Sequence, residues 1–381
     1  MNDDIARYHR QMLLPGFGED GQRRLRASTA FILGCGALGT HIADLLARAG
    51  VGRLVIVDRD FIELTNLQRQ VLFDEQDVAD AIPKAEAAKR RIARINSQVE
   101  VVAIVDDLNH ANIERYAAGA EILVDGLDNF ETRYLANDFA VKHGVPYVYG
   151  GAVGTSGAAF AILPHTRAGD APWEVPAGDA AAVAAAGAAA GTAAGSRATP
   201  CLRCLFEEAP PPGMNPTCDT AGVMAPAVGI VASFQVAEAL KVLTGNFDRA
   251  CPTMLNLDLW GNIITQLKVA RAYEFGDCPC CKHGRFEYLE GRRGSGATTL
   301  CGREAVQLTH RQGAATVDLD EVAARLRAHG NVTASRFMLR AEITENGKRY
   351  GLSLFPDGRA IVHGTAEPAV ARGVYAKYVG A

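Results

Sequence analysis

What this sequence has little of already limits what the protein can be. No segment approaches the roughly 18 uncharged apolar residues of a membrane span, and the opening MNDDIARYHRQ lacks the apolar core of a signal peptide. Positive charge is not in excess, since 39 Lys and Arg against 43 Asp and Glu give a formal net charge of -4 at pH 7. These absences predict a cytoplasmic protein that binds neither a membrane nor a nucleic acid.

A disulfide framework is also not expected in a cytoplasmic protein. The cytosol keeps thiols reduced, so clustered members of its nine cysteines are better explained by metal binding or catalysis. Two C-x-x-C pairs stand out, Cys201 with Cys204 and Cys278 with Cys281, and Cys280 fits this spacing poorly. Four thiolates suit tetrahedral Zn²⁺ in a closed structural site. We therefore predict zinc at these four cysteines, with a redox pair or an unmetallated remnant as the alternatives.

Apolar patterning divides the 381 residues into a long α/β region and a short tail. From residue 28 to about 150, continuous apolar strands alternate with helical patterns, which predicts a doubly wound, mostly parallel sheet. Residues 165–200 are rich in Ala and Gly and predict a flexible crossover loop, after which an apolar helix runs from about Pro226 to Leu243. The linker-like GRRGSGATT separates a main domain, 1–289, from a small α+β domain, 290–381.

The stretch ILGCGALGTH follows the first predicted strand and opens a helix. Its Gly34, Gly36 and Gly39 match G-x-G-x-x-G, in which glycines let backbone N–H groups at a helix N-terminus approach a phosphate. Asp58 ends the next strand, 19 residues after Gly39, where a carboxylate bonds ribose hydroxyls. The pattern predicts a nucleotide with ribose and phosphates, but it does not separate NAD from ATP.

Polar residues further along the chain favour ATP over NAD. Asn66, Arg69 and Lys84 follow the second strand, and two cations beside a phosphate loop stabilise more phosphate charge than a dehydrogenase normally handles. The segment LVDGLDN adds Asp125 and Asp128 at the end of a later strand, where a carboxylate can hold Mg²⁺ against phosphate oxygens. We predict that Asp128 binds magnesium and leave Asp125 as a residue that caps or supports the loop.

Together these segments resemble the ThiF/MoeB/HesA adenylyltransferases of the ubiquitin-activating-enzyme-like superfamily. The similar segments occur in the same order over about residues 5–285 and include RYHRQMLLPGFGEDGQRRL, GCGALG, VDRDFIELTNLQRQ, DGLDN, CLRC, TCDTAGVMAPAVG and CPCC. The resemblance implies a Rossmann-like adenylation domain that uses ATP and Mg²⁺. The C-terminal glycine carboxylate of a ubiquitin-like sulfur-carrier protein, of ThiS or MoaD type, would attack the α-phosphate to give an acyl-adenylate and pyrophosphate.

The resemblance also assigns roles to single residues. Those at the nucleotide would be Asp58 at the ribose, Asn66, Arg69 and Lys84 at the phosphates, and Asp128 at Mg²⁺. Arg10 would reach the ATP of the other subunit, which implies a homodimer; otherwise it is an ordinary surface arginine. Cys218 precedes a helix N-terminus, which can lower a thiol pKa. It is a candidate nucleophile for a thioester or persulfide, or else a buried loop cysteine.

The tail and the activity leave several expectations open. Residues 290–381 resemble C-terminal extensions of some ThiF-like proteins, which predicts recognition of the carrier or of another partner. The tail does not resemble a rhodanese domain, and a separate sulfurtransferase is a candidate partner. Alternative activities are adenylation of a peptide terminus or a modified tRNA base, and a non-catalytic scaffold.

Overall fold

The computed structural model describes residues 3–164, 199–207, 221–251, 253–293, 297–300, 304–309, 317–345 and 348–379. The chain divides into two compact units, Met1–Ala209 with Val223–Arg293, and Pro210–Gly222 with Gly294–Ala381. The predicted crossover loop at 165–200 lies outside the described residues except for its last two positions, and Cys218 lies outside them as well.

A single sheet organises the larger unit. Its strands are β1 Thr29–Leu33, β2 Arg53–Val57, β3 Glu100–Ile104, β4 Ile122–Asp125, β5 Tyr147–Val153, β6 Ser156–Ile162, β7 Thr253–Asp258 and β8 Ile263–Lys268. They lie in the order β3-β2-β1-β4-β5-β6-β7-β8. The first five pair in parallel, and the last three join antiparallel. The predicted doubly wound, mostly parallel sheet is confirmed.

Helices follow most of the parallel strands. They are α1 His9–Met12, α2 Gly18–Ala27, α3 Ala37–Ala49, α4 Glu75–Ala79, α5 Lys84–Ile95, α6 Ile113–Tyr116, α7 Phe130–His143, α8 Leu202–Leu205, α9 Ala225–Leu243 and α10 Ala270–Phe275. Short 3-10 helices occupy Asp3–Tyr8, Leu64–Asn66 and Phe247–Arg249. The apolar helix predicted after residue 225 is therefore present as α9.

Both faces of the sheet are covered, as the residues of β1 show. Ala30 and Ile32 lie in a core shared with α3, α5 and α9, whereas Phe31 and Leu33 lie in a second core shared with α7. Side chains alternate between the two faces of a strand, so a strand buried on both faces must be apolar at every position. This burial is the reason that the parallel strands form continuous apolar runs in the sequence.

Helix α9 has the length and composition of a membrane span, with 19 residues and a mean hydropathy of 1.4. A core helix passes the same test, and 56% of the apolar stretch is buried inside the protein. Val228 and Val231 pack in the core beside α3. Glu238 is buried towards the end of the helix, where it accepts a hydrogen bond from the backbone N–H of Cys251 at 2.7 Å. Helix α9 thus supplies a large part of this core.

The described part of the smaller unit is an antiparallel sheet accompanied by helices. Its strands are β9 Ala297–Leu300, β10 Ala305–Leu308, β11 Gly330–Ala334, β12 Leu339–Glu345, β13 Lys348–Leu354 and β14 Ala360–His363, and its helices are α11 Leu319–Leu326 and α12 Pro368–Tyr378. The spatial order is β11-β12-β13-β14-β10-β9. Glu345 pairs with Lys348, and the intervening Asn-Gly, which predicts a hairpin turn, lies outside the described residues. A small α+β domain is confirmed.

Candidate active site

The glycine loop joins β1 to α3, and two of its glycines are required by nearby backbone. Gly34 has φ +84°, and a Cβ there would lie 2.7 Å from the carbonyl oxygen of Gly126. A Cβ on Gly39 would lie 2.0 Å from the carbonyl oxygen of Gly34. Gly36 caps the N-terminus of α3 and has more space. A Cβ on Gly36 would lie 4.0 Å from its nearest neighbours outside the adjacent residues. This open space at a helix N-terminus fits a phosphate group.

Asp58 lies immediately after β2 and faces the glycine loop. Its Oδ2 accepts a hydrogen bond from the backbone N–H of Cys35 at 2.6 Å, and its Oδ1 accepts one from the backbone N–H of Asp60 at 2.7 Å. Burial raises the pKa of Asp58 to about 6, against the opposing effect of Lys84. The carboxylate is therefore held at the end of the strand beside the phosphate loop, where it was predicted to meet a ribose.

Lys84 is the first residue of α5 and is only 6% exposed. Its Nζ donates to Oδ2 of Asp60 at 2.9 Å, and its backbone N–H donates to the carbonyl oxygen of Asp60 at 3.0 Å. Burial acts to lower the pKa of Lys84, but the Asp60, Asp58 and Asp128 carboxylates outweigh it, so the pKa is raised. The site therefore holds a charged ammonium, and Asp60, which no motif singled out, is its partner.

The segment after β2 carries further polar groups, of which Gln70 lies beside the glycine loop. Asn66 is buried, and its Oδ1 accepts from the backbone N–H of Glu63 at 3.0 Å. Arg69 is half-buried and donates from Nη1 to the carbonyl oxygen of Thr65 at 2.9 Å. Gln70 was not predicted; it is 3% exposed, and its Oε1 has no hydrogen-bond partner among the described residues.

The place of Gln70 supports a ligand in this pocket. Its Nε2 is the nearest side-chain atom to the Cβ position of Gly36, at 4.0 Å. A buried polar atom without a partner is costly and calls for an unseen one. The glycine loop and the Lys84 ammonium can donate hydrogen bonds to the phosphates of a nucleotide, and the Gln70 oxygen can accept one from a hydroxyl or amino group of the same ligand.

Two aspartates at the end of β4 differ sharply in environment. Asp125 is fully buried, and its carboxylate accepts from Nε of Arg133 at 3.1 Å, the hydroxyl of Tyr147 at 2.7 Å and the backbone N–H of Leu127 at 2.9 Å. Asp128 is exposed on the loop that follows. Asp125 therefore supports the loop, and Asp128 is the carboxylate that a metal ion can reach.

A buried polar network beneath this loop was missed by the sequence analysis. Arg133 of α7 donates from Nη2 to the carbonyl oxygens of Leu127 at 2.7 Å and Gly150 at 3.0 Å. Gln235 of α9 donates to the carbonyl oxygen of Asp125 at 2.8 Å, and a Cβ on Gly150 would lie 2.3 Å from its side chain. The glycine pair inside β5 was the available signal, because a glycine in a strand often marks a close approach.

The predicted roles of Arg10 and Cys218 have no support from a contact of the described residues. Arg10 lies exposed on α1, and its contact with the ATP of another subunit stays a prediction. Cys218 lies outside the described residues, so its role also stays a prediction. The structure does bring together the glycine loop, Asp58 and Lys84, and the charge of Asp128 acts on Lys84.

The four predicted zinc cysteines converge in space. Their sulfur atoms all lie within 4.8 Å of one another. The separations are 3.5 Å between Cys201 and Cys278, 3.3 Å between Cys204 and Cys281, and 3.8 Å between Cys201 and Cys204. Tetrahedral zinc with Zn–S bonds of about 2.3 Å requires sulfur atoms about 3.8 Å apart. The cluster therefore fits a zinc ion.

Helix α7 supports both halves of this cluster. The side-chain oxygen of Asn137 accepts from the backbone N–H of Leu202 at 2.8 Å, and its Nδ2 contacts the sulfur of Cys280 at 3.4 Å. Asp138 accepts from the backbone N–H of Tyr288 at 3.0 Å. One helix turn thereby holds the two C-x-x-C segments, and Cys280 is turned towards Asn137 as a fifth, buried cysteine beside the four.

Comparison with known proteins agrees with the geometry. The ThiF family matches residues 8–280. The chain is 40% identical over 375 residues to the sulfur carrier protein ThiS adenylyltransferase of Bacillus subtilis, covering 98% of this chain and 99% of that one. It is 36% identical over 279 residues to a sulfur carrier protein adenylyltransferase of Thermus thermophilus, covering 73% and 91% of the two chains.

A solved structure shares the fold at lower identity. The crystal structure of Escherichia coli MccB with ATP superposes with a TM-score of 0.54 at 22% identity and covers 74% of each chain. This likeness bears on the fold alone. With a family match across most of the chain and a relative similar over its full length, this chain belongs to the ThiF family.

Proposed function

We propose that this chain is an adenylyltransferase that activates the C-terminal glycine carboxylate of a ubiquitin-like sulfur-carrier protein, for incorporation of sulfur into a cofactor or metabolite. The strongest support is the relative of similar length from Bacillus subtilis, named as an adenylyltransferase of the sulfur carrier ThiS. The geometry agrees, because a glycine loop, a carboxylate and a buried ammonium are linked at the edge of the sheet where nucleotides bind.

Different residues of the pocket would bind different parts of ATP. Asp58 would hold the ribose, and the open space at Gly36 would receive the phosphates beside Asn66, Arg69 and Lys84. Fixed cations stabilise the negative charge that develops at the α-phosphate in the transition state. Magnesium at Asp128, when bound, would neutralise charge on the phosphate oxygens.

The reaction itself is a displacement at phosphorus. A carboxylate oxygen of the carrier's terminal glycine forms a bond to the α-phosphorus, and the bond to the bridging oxygen of the β-phosphate breaks. Pyrophosphate leaves with the electron pair of that bond, and the carrier retains AMP as a mixed anhydride. The protein's part is to orient both substrates and to stabilise charge.

Other groups complete the proposal. Zn²⁺ bound by Cys201, Cys204, Cys278 and Cys281 would tie the end of the crossover segment to the end of the adenylation domain as a structural site. Arg10 would act on the ATP of a second subunit in a homodimer. The Cys218 thiolate would take the carrier's acyl group from the adenylate as a thioester, with AMP as the leaving group, or would accept the outer sulfur of a sulfurtransferase's persulfide, which leaves as a thiolate. The domain at 290–381 would recruit the carrier or a sulfurtransferase.

Pyrophosphate exchange into ATP tests this proposal. Purified protein and candidate carriers are mixed with ATP, Mg²⁺ and labelled pyrophosphate, and exchange should require a carrier with a free terminal glycine. Lys84→Ala and Asp128→Ala should reduce exchange about 10²–10³-fold because they remove charge stabilisation. Cys218→Ala should retain exchange, and Asp20→Ala on the exposed side of α2 is the matched control. Exchange at the full rate in Asp128→Ala would show that Asp128 does not bind the catalytic metal.

A further inference from the structure

Asp60 links the two sides of the nucleotide pocket. Its backbone N–H donates to Asp58 at 2.7 Å, and its carboxylate accepts from Nζ of Lys84 at 2.9 Å. Asp58 in turn accepts from the backbone N–H of Cys35 in the glycine loop at 2.6 Å. A continuous chain of hydrogen bonds therefore runs from the phosphate loop through Asp58 and Asp60 to Lys84.

Lys84 is held at both ends by the same segment. Its backbone N–H bonds the carbonyl oxygen of Asp60, and an isolated antiparallel bridge joins Phe61 to Pro83 beside it. The ammonium at the end of the Lys84 side chain forms an ion pair with the carboxylate of Asp60. A free lysine side chain loses rotamer entropy when it binds a ligand. Here most of that ordering is complete before a nucleotide arrives.

The ion pair leaves hydrogen-bonding capacity for a ligand. An ammonium has three N–H donors, and the contact with Asp60 uses one of them. The Lys84 side chain is 8% exposed, whereas the carboxylate that holds it is 38% exposed. Lys84 can therefore meet a phosphate oxygen while it keeps its contact with Asp60.

We infer that Asp60 is the positioning residue of the phosphate-binding lysine, which it orients and fixes relative to the ribose carboxylate Asp58. The inference rests on the proposed role of Lys84 at the phosphates. In this arrangement the distance between the ribose contact and the lysine contact is set by one short segment, residues 58–60, before ATP binds. Such preorganisation strengthens binding because less freedom is lost.

A simpler electrostatic role for Asp60 predicts the opposite result. Like charges repel, so removing a carboxylate beside a phosphate site would by itself strengthen nucleotide binding. If Asp60 only opposes the phosphates, Asp60→Ala binds nucleotide more tightly. If Asp60 positions Lys84, the same change weakens binding. The sign of the effect separates the two roles.

The experiment is a double-mutant cycle read by calorimetry of α,β-methylene-ATP binding with Mg²⁺. We expect Asp60→Ala to weaken binding about tenfold, within the usual range for residues in contact. In the Lys84→Ala background the same change should cause no loss. Asp60→Asn keeps an oxygen acceptor and should retain part of the affinity. Glu114→Gln, which removes the charge of a surface partner of Lys142, should leave affinity unchanged.

The possible results give distinct conclusions. Unchanged or tighter binding by Asp60→Ala overturns the inference, and so does an equal loss in the Lys84→Ala background. If Lys84→Ala alone leaves affinity unchanged, Lys84 does not bind phosphate and the inference is overturned with that assignment. Pyrophosphate exchange by the unaltered protein then still tests the adenylation activity separately. Equal thermal midpoints and zinc contents show that each variant is folded.

Discussion

Replacing Arg133 by methionine tests whether a buried ion pair holds the loop that carries Asp128. The change removes hydrogen bonds to Asp125 and to the carbonyl oxygens of Leu127 and Gly150. It leaves the fully buried Asp125 without its counter-charge, although the hydroxyl of Tyr147 still donates to it. Losing one partner of a buried pair costs about 3–5 kcal/mol. Because other donors to Asp125 remain, we expect the free energy of unfolding to fall by about 3 kcal/mol, near the lower end of that range.

The loss of unfolding free energy in Arg133→Met should depend on pH in a defined direction. Burial raises the pKa of Asp125, and Arg133 opposes that rise. Without Arg133 the folded-state pKa rises further, so the folded protein binds the proton more readily than the unfolded chain does. Stability is then retained at low pH and lost as pH rises through the folded-state pKa. The difference between variant and unaltered protein should therefore be larger at pH 8 than at pH 5.

Hydrogen exchange read by mass spectrometry during urea unfolding measures this effect. Peptides from β4 and β5 report the unfolding of the larger unit alone. Its unfolding transition is therefore distinguished from that of the smaller unit. Arg53→Met is the matched control. Nε of Arg53 lies 3.3 Å from Oε1 of the exposed Glu100, and such surface ion pairs contribute about 0–1 kcal/mol to stability. A loss in Arg133→Met no greater than in this control would refute the reasoning. Pyrophosphate exchange should also fall, because the loop at Asp128 loses its anchor.

Single substitutions in the nucleotide pocket and beside the zinc cysteines test three more features of the site. Below about pH 6 the KM for ATP in pyrophosphate exchange should rise, because Asp58, whose pKa burial raises to about 6, loses its charge; Asp58→Asn should lack this step, and a profile that keeps it contradicts the assignment. Asn137→Ala should release zinc to a colour-forming chelator about tenfold faster, since it holds both C-x-x-C segments; an unchanged rate from protein with one equivalent of zinc would disprove this role. Gly39→Ala should lower the thermal midpoint, because its Cβ would lie 2.0 Å from a carbonyl oxygen, whereas Gly36→Ala should keep the midpoint and weaken nucleotide binding. Equal effects of the two glycine changes on the midpoint would contradict the distinction.

Patterns within short stretches of chain predicted much of the fold and the site. Continuous apolar strands predicted a parallel sheet because both faces of each strand are buried, as Phe31 and Ile32 demonstrate on opposite faces of β1. The glycines of the loop were predictable because a turn from strand to helix N-terminus needs them locally. The family resemblance is confirmed by the match over residues 8–280. The roles of Asp58, Lys84 and Asp128 at ATP stay predictions.

Partners far apart in the chain were not predictable from such patterns. Asp60 and Lys84 are separated by 24 residues, and Gln235 and Asp125 by 110. No periodicity connects positions across those lengths, because the intervening elements decide which side chains meet. For the same reason Gln70 was missed, since its burial beside the glycine loop depends on the whole edge of the sheet.

The amino-acid sequence by itself determined the fold class, the glycine loop and the thiol groups available for a metal, because these depend on residue type and local spacing. Tertiary structure alone decided that Asp125 is buried as a support while Asp128 is exposed, and that cysteines 77 residues apart lie 3.5 Å from each other. Hydrogen bonds and metal coordination act only over a few ångströms. Packing of the complete core is what brings distant residues within that range.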